Sequence, residues 1–260
     1  MNQITHAIII CAGEGRGWKN YLGVQKHFIK IEDERLIDRT VRLINKYKNE
    51  NDKVFVVGLN DNYKIEGSTL FIPKINPVDH GVDKFLNSKE LWNKQGRTIV
   101  FYGDVWYSEE AMRQIIQYDK KEWMLFARKG KSSVNGCMHE EIFAQSFYPK
   151  DIPEHEKNLL KIAEAFQQKL IRYGSGWHHY RCMTGLEPTD KRIFKDKIFN
   201  IDDFTNDFDY PIDYDTWMAY RNKKNWFIIQ KYTILHVLEY IKKKLNYRKY
   251  GNKPMRPHEM

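Results

Sequence analysis

Cysteine is scarce in this chain of 260 residues: Cys11, Cys137 and Cys182 stand far apart and form no C-x-x-C pair. That fits a reducing cytoplasm and argues against both a disulfide framework and a structural zinc site. No apolar run approaches the roughly 20 residues that span a bilayer. The first such run, Ala7 to Ala12, is too short for a signal peptide and leads straight into glycines. The expectation is a soluble, cytoplasmic protein with no membrane span. Neither G-x-x-x-x-G-K-[ST] nor G-x-G-x-x-G occurs, which excludes the Walker loop and the dinucleotide fingerprint. There is no internal repeat and no low-complexity linker.

Acidic residues are nearly missing from one region. Between Ala219 and Met260, eleven basic residues face only Glu239 and Glu259, so this stretch carries the whole formal net charge of +9. The first 218 residues are neutral overall. Such a localised patch suits an acidic partner, although a solvated tail that keeps the protein soluble has the same composition.

The apolar content, 42%, and the aromatic content, 14%, are sufficient for a substantial core and exclude disorder over the whole length. "THAIIICAG" has the pattern of a central parallel strand whose end opens into a binding loop. Leu36, Thr40, Leu43 and Tyr47 recur at helical spacing, predicting a helix from Arg35 to Lys48. "KVFVVGL", "TIVFYGDV", "EWMLFAR" and "EIFAQSF" read as strands, and Val82 to Trp92 and Glu154 to Ile171 as helices. Ser108 is placed to cap a helix with Glu109 and Glu110 in its first turn. This alternation predicts an α/β sandwich around a mainly parallel sheet. A last helix, Trp226 to Asn246, carries the apolar stripe Ile234, Leu238, Ile241 and Leu245, which predicts docking on the main domain. The organisation expected is a nucleotide-type domain over 1–218 and a basic helical appendage over 219–260.

Three unusual segments lie at strand ends, where open α/β sheets bind ligands. In "CAGEGRGWKNYLGVQKH", Gly13, Gly15 and Gly17 allow backbone N–H groups to approach phosphates, and Arg16, Lys19 and Lys26 add positive charge. In "FYGDVWYS", Asp104 either ligates a hard divalent cation or caps the turn after its strand. In "NIDDFTNDFDYPIDYDTW", six aspartates repel one another unless they are solvated, paired with the basic tail or used on a cation. Asp202 or Asp203, after the "KIFNI" strand, is the better ligand candidate, and Asp213 is placed to cap the next helix.

These segments, in this order, resemble the sugar-phosphate nucleotidyltransferase family and the related GT-A glycosyltransferases. "AIIICAGEGRGW…QKHFIKIEDERLIDRTVRLI" is similar to the family opening A-I-I-L-A-A-G-x-G-T-R followed by P-K. "YGDV" resembles its metal-binding aspartate segment, and "IDDFTNDFDYPIDY" its closing acidic segment. The likeness runs from about residue 5 to residue 217 and is strongest to small phage-encoded members. It implies a Rossmann-like GT-A sheet, Mg²⁺ or Mn²⁺, and a bound nucleotide. By matching position, Ala12, Gly13, Glu14 and Gly15 hold the nucleotide, Lys26 faces a phosphate and the Gly81 segment lies near base or ribose. Asp104 and Asp203 hold the metal. Two departures matter: the family's Arg falls on Gly17, with Arg16 one position earlier, and its Pro before Lys is Gln25. In nucleotidyltransferases that Arg helps hold the phosphates leaving as pyrophosphate, so its displacement tilts the expectation toward sugar transfer.

Glu141 and Asp207 are the candidate bases for an acceptor hydroxyl. In "GSGWHHYRC", Trp177, His178 and Arg181 are the candidate acceptor contacts, with core packing of Trp177 as the plain alternative. Adjacent histidines face different ways, which argues against a two-His metal site there. The expected activity is metal-dependent transfer of a sugar from a nucleoside-diphosphate sugar of the UDP type to a hydroxyl. With the basic tail gripping phosphates, that hydroxyl could belong to a hydroxymethylated base in phage DNA. The alternatives are a nucleotidyltransferase that couples an NTP to a sugar phosphate or phospho-alcohol, and a non-catalytic nucleic-acid-binding module.

Overall fold

The computed structural model describes residues 4–11, 17–74, 82–191, 196–224 and 226–250. The strands are β1 (Thr5–Ile10), β2 (Lys30–Ile31), β3 (Glu34–Arg35), β4 (Lys53–Val57), β5 (Thr69–Phe71), β6 (Arg97–Tyr102), β7 (Val105–Trp106), β8 (Met124–Arg128), β9 (Glu141–Phe147), β10 (Ile198–Asn200) and β11 (Asn206–Asp207). The α-helices are α1 (Leu36–Tyr47), α2 (Asp83–Leu86), α3 (Glu109–Gln117), α4 (Ile152–Gln167), α5 (Gly176–Met183), α6 (Pro211–Arg221) and α7 (Trp226–Tyr250).

The main sheet runs in the order β10-β8-β9-β6-β1-β4-β5. β5, β4, β1 and β6 are mutually parallel, β9 runs against them, and β8 and β10 return to the first direction. β1 lies in the middle and is covered on both faces, which is why it is a continuous apolar run. Its alternating side chains feed two cores. Ala7, Ile9 and Cys11 join Ile37, Val41, Met112 and Ile115 from α1 and α3. Ile8 and Ile10 join Leu159, Ile162, Trp177 and Tyr180 from α4 and α5. The α/β sandwich with a mainly parallel sheet is thus the observed architecture.

Local chemistry sets the helix ends. The Ser108 hydroxyl accepts from Ala111 N at 2.9 Å, capping α3 as expected. The helix expected over Val82–Trp92 instead breaks into α2 and a 3₁₀ turn at Lys89–Leu91. At the break, the buried Ser88 hydroxyl donates to Phe85 O at 2.8 Å, offering the backbone an alternative to a continuous ladder. α4 stops at Gln167, short of Ile171, because Lys169 turns into the left-handed region at φ 61°.

α7 corrects a second expectation. Ile234, Leu238, Ile241 and Leu245 are all exposed, and the one buried residue among the described side chains of α7 is His236. The helix packs against α6 with His236 beside Asp213, and its apolar stripe faces away. Arg221, counted in the basic region, serves the fold: it pairs with Glu32, and its guanidinium lies over Trp106 at 4.7 Å and Trp217 at 5.2 Å. No helix among the described residues is long and apolar enough to cross a membrane.

Candidate functional site

Asp104 sits at the carboxyl end of β6, beside the end of β1. The turn that carries it is fixed by Gly103 N donating to Ile10 O at 3.0 Å. A Cβ on Gly103 would strike Cys11 Sγ and stand 2.9 Å from Ile10 O, so only glycine lets the two strand ends approach this closely. Lys26 enters from the short 3₁₀ turn Lys26–Phe28. Its Nζ forms an ion pair with Asp104 Oδ2 and lies 3.2 Å from Asp209 Oδ1.

The residue before Lys26 explains one departure from the family pattern. Gln25 adopts φ −66°, the angle at which proline is locked. The backbone geometry therefore survives without proline, and the Gln25 amide oxygen accepts from Tyr63 OH at 3.1 Å. His27 Nδ1 meets the same hydroxyl at 3.0 Å, so this turn is braced against Tyr63.

The closing acidic segment folds back onto Asp104. β7 and β11 form an antiparallel ribbon in which Asp207 stands opposite Val105, and Phe208 N donates to Asp104 O at 3.2 Å. The buried Arg128 secures the ribbon by donating to Thr205 O at 3.1 Å and Asn206 Oδ1 at 2.9 Å. Asn135 Nδ2 adds a bond to Asp203 O at 2.9 Å. Gly17, at the end of the opening loop, closes the ring: its Cβ would fall 2.6 Å from Asp209 O and 3.1 Å from the Tyr210 ring.

Asp104, Asp207 and Asp209 consequently offer carboxylate oxygens within 4.8 Å of one another. Burial alone would raise the Asp104 carboxyl, but Lys26, Lys84 and His27 together hold it below the usual carboxylate range. Asp207 goes the other way. Burial, then the charges of Asp104, Asp209 and Glu141, push it well above that range. Lys26 is raised well above an ordinary lysine because the three aspartates outweigh its desolvation. Asp207 Oδ1 is shielded from solvent and has no hydrogen-bond partner. Three carboxylates against one lysine, with an orphaned buried oxygen, form an all-oxygen donor set that fits a hard divalent cation.

The other expected site residues fall as follows. Asp203 does not join this set: the Ser108 hydroxyl donates to its Oδ2 and Thr205 N to its Oδ1 at 2.6 Å, so it pins the start of α3. Asp213 caps α6 as expected, its Oδ2 accepting from Tyr210 N at 2.7 Å. Glu141 begins β9 with its Oε1 2.6 Å from His139 Nε2. The segment expected as an acceptor loop is helix α5, capped by Ser175. Trp177 is buried in the core on that face of the sheet, and Arg181 donates to Pro188 O at 3.0 and 3.2 Å. His178 Nδ1 meets the Ser175 hydroxyl at 2.7 Å. Ala12, Gly13, Glu14, Gly15, Arg16 and Gly81 lie outside the described residues. Asp209 and Arg128 were not singled out from sequence. Asp209 was visible only as one of the six clustered aspartates, and a buried arginine on a strand gives no signal of its own.

With this geometry in place, the fold can be set beside solved structures. It is shared with solved nucleotidyltransferases. A UDP-glucose pyrophosphorylase complexed with UDP-glucose matches 85% of this chain and 100% of its own, with TM-score 0.58 and 12% identity. The inositol-1-phosphate CTP transferase from T. maritima matches 89% of this chain and 97% of its own, with TM-score 0.53 and 13% identity. A nucleotidyl transferase from Methanothermobacter matches 86% and 100%, with TM-score 0.50 and 15% identity. No protein-family model matches the chain, nor does any curated protein.

Proposed function

We propose that the protein is a metal-dependent nucleotidyltransferase that couples an NTP to a sugar phosphate or phospho-alcohol and releases pyrophosphate. The observation that carries this reading is the convergence of Asp104, Asp207, Asp209 and Lys26 beyond the carboxyl ends of the parallel strands, directly against the end of the opening loop. The neighbours that share the fold act on nucleotides or nucleotide sugars by their names, which favours nucleotidyl transfer over sugar transfer to DNA.

In this reading Asp104, Asp207 and Asp209 hold Mg²⁺ or Mn²⁺, which neutralises charge on the phosphates. Lys26, the cation nearest the cluster among the described residues, shifts from Asp104 and Asp209 toward a phosphate oxygen of the incoming nucleotide. Ala12, Gly13, Glu14, Gly15 and Arg16 are assigned to the nucleotide, and Gly81 to base or ribose, by the family resemblance alone. A phosphate nucleophile has no hydroxyl proton to give up, so Glu141 and Asp207 are candidate bases only in the sugar-transfer reading below. Trp177, His178 and Arg181 stand on α5, where the burial of Trp177 and the Arg181–Pro188 bonds support a structural role, and half-buried His178 stays the candidate acceptor contact.

A second reading, sugar transfer from a nucleoside-diphosphate sugar, is supported by Gly17. The family pattern places there the Arg that grips the departing pyrophosphate, and the Asp209 carbonyl leaves that position no room for a side chain. DNA as acceptor rests on the basic residues of 219–260. Incubation with the four NTPs plus a set of sugar 1-phosphates, and in parallel with nucleoside-diphosphate sugars with and without DNA, separates the readings. Pyrophosphate from an NTP supports the first, and a free nucleoside diphosphate supports the second.

A further inference from the structure

A second set of metal donors lies where α7 meets the body of the protein. It draws on three segments that the sequence keeps far apart. Cys137 and His139 lie in the irregular segment that leads into β9, and Glu141 is the first residue of that strand. Asp213 lies in the first turn of α6, and His236 in the middle of α7. Donor atoms of His139, Asp213 and His236 are all within 4.8 Å of one another, and so are those of Cys137, His139 and Glu141. The two sets share His139.

The individual contacts are those of a closed polar centre. His236 Nε2 lies 3.1 Å from Asp213 Oδ1, and both side chains are only 2–3% exposed. Asp213 Oδ2 is already committed to the α6 cap, which directs Oδ1 inward. His236 Nδ1 is buried with no hydrogen-bond partner. The His139 ring meets the His236 ring edge-on at 5.4 Å and is covered by Tyr240 of the same helix, stacked at 5.9 Å. A 25-residue helix that leaves its apolar stripe in solvent thus inserts a histidine as its buried anchor. Two buried carboxylates beside two imidazoles need positive charge, which either protonated rings or a bound metal ion supplies.

We propose that His139, Asp213 and His236 form a zinc-type transition-metal site, with Glu141 and Cys137 facing its fourth position, and that the metal ties α7 to the transferase domain. Two imidazoles and a carboxylate are borderline donors that favour Zn²⁺ over Mg²⁺. The all-carboxylate set at Asp104 has the opposite preference. The scarcity of cysteine excludes only zinc sites built from paired cysteines. This inference does not rest on the reaction proposed above.

The test uses the full chain stripped of metal, then titrated with Zn²⁺ alone against a chromophoric chelator and, separately, with Co²⁺ followed by visible absorption. The expected result is one tightly held Zn²⁺ per chain, a four-coordinate Co²⁺ spectrum and a rise in Tm on metal addition. His236→Gln and Asp213→Asn should each weaken Zn²⁺ binding by more than about 100-fold, while Asp104→Asn keeps it. His236→Cys, which retains a zinc donor, should keep the metal and add sulfur-to-Co²⁺ charge-transfer intensity even if His236→Gln fails to fold. Wild-type protein that holds no Zn²⁺, or Zn²⁺ affinity unchanged in His236→Gln, would overturn the proposal. So would Co²⁺ bound to His236→Cys without the added band.

Discussion

Lys26 and Asp104 form a largely buried ion pair that joins the turn after the opening loop to the end of the central strand β6. It orders the site before any ligand arrives. Removing one partner of such a pair leaves a buried charge uncompensated, which costs about 3 kcal/mol or more. Lys26→Met should therefore lower the urea-unfolding free energy by about that amount at pH 7. The Asp104 carboxyl is held low in the fold, so its contribution is present above the ordinary aspartate value and fades as pH falls through the folded value. The gap between wild type and variant should accordingly narrow below about pH 4. A gap that stays constant with pH would mean that Lys26 is not stabilising this carboxylate.

Asp207 is pushed well above the usual carboxylate range by burial and by its acidic neighbours. A divalent cation reverses that balance and expels the proton. Mn²⁺ binding should release protons, more of them as the pH is lowered, read by calorimetry in buffers of different ionisation enthalpy. Asp207→Asn should bind Mn²⁺ more weakly and release none. Equal proton release from wild type and variant would remove Asp207 from the metal set.

Gly103 has no room for a methyl group against Cys11 and Ile10. Gly103→Ala should destabilise the fold by about 1–3 kcal/mol. It should also reduce turnover more than a comparable change remote from the site, because the displaced turn carries Asp104. Thermal unfolding and single-turnover assays on the same preparation check both effects.

The strand ends that build the site were legible because each couples a β-favouring run to glycine and a charged residue, as "FYGDV" and the opening loop do. Asp104 and Lys26 could be named from that pattern. The partner aspartate could not. Whether Asp203 or Asp209 faces Asp104 depends on the β7–β11 pairing and on Ser108 and Thr205 occupying the oxygens of Asp203, and all of these are long-range contacts. The seat of α7 was misread for a different reason. Hydrophobic periodicity marks the buried face only when apolar packing drives docking, and here the buried position is His236.

Acid should unfold the protein early. Burial holds His27, His178 and His179 down to about 3 and His155 well below its ordinary value. The unfolded chain takes up these protons below about pH 6.5 while the folded chain does not, so stability falls as pH drops from that point toward 3. Each such histidine contributes a slope of about 1.4 kcal/mol per pH unit within this window. Urea midpoints from pH 7.5 to 4 measure the slope, and His155→Phe should flatten it.

The central claim is that Asp104, Asp207 and Asp209 serve transfer of a nucleotidyl group from an NTP. The most direct measurement is pyrophosphate release from NTP plus sugar 1-phosphate with Mn²⁺, comparing wild type with Asp104→Asn and identifying the second product by mass. The account predicts a nucleoside-diphosphate sugar formed in step with pyrophosphate, at a rate reduced at least roughly a hundredfold in the variant. Release of a nucleoside diphosphate from a nucleotide sugar, with no pyrophosphate from any NTP, would contradict it.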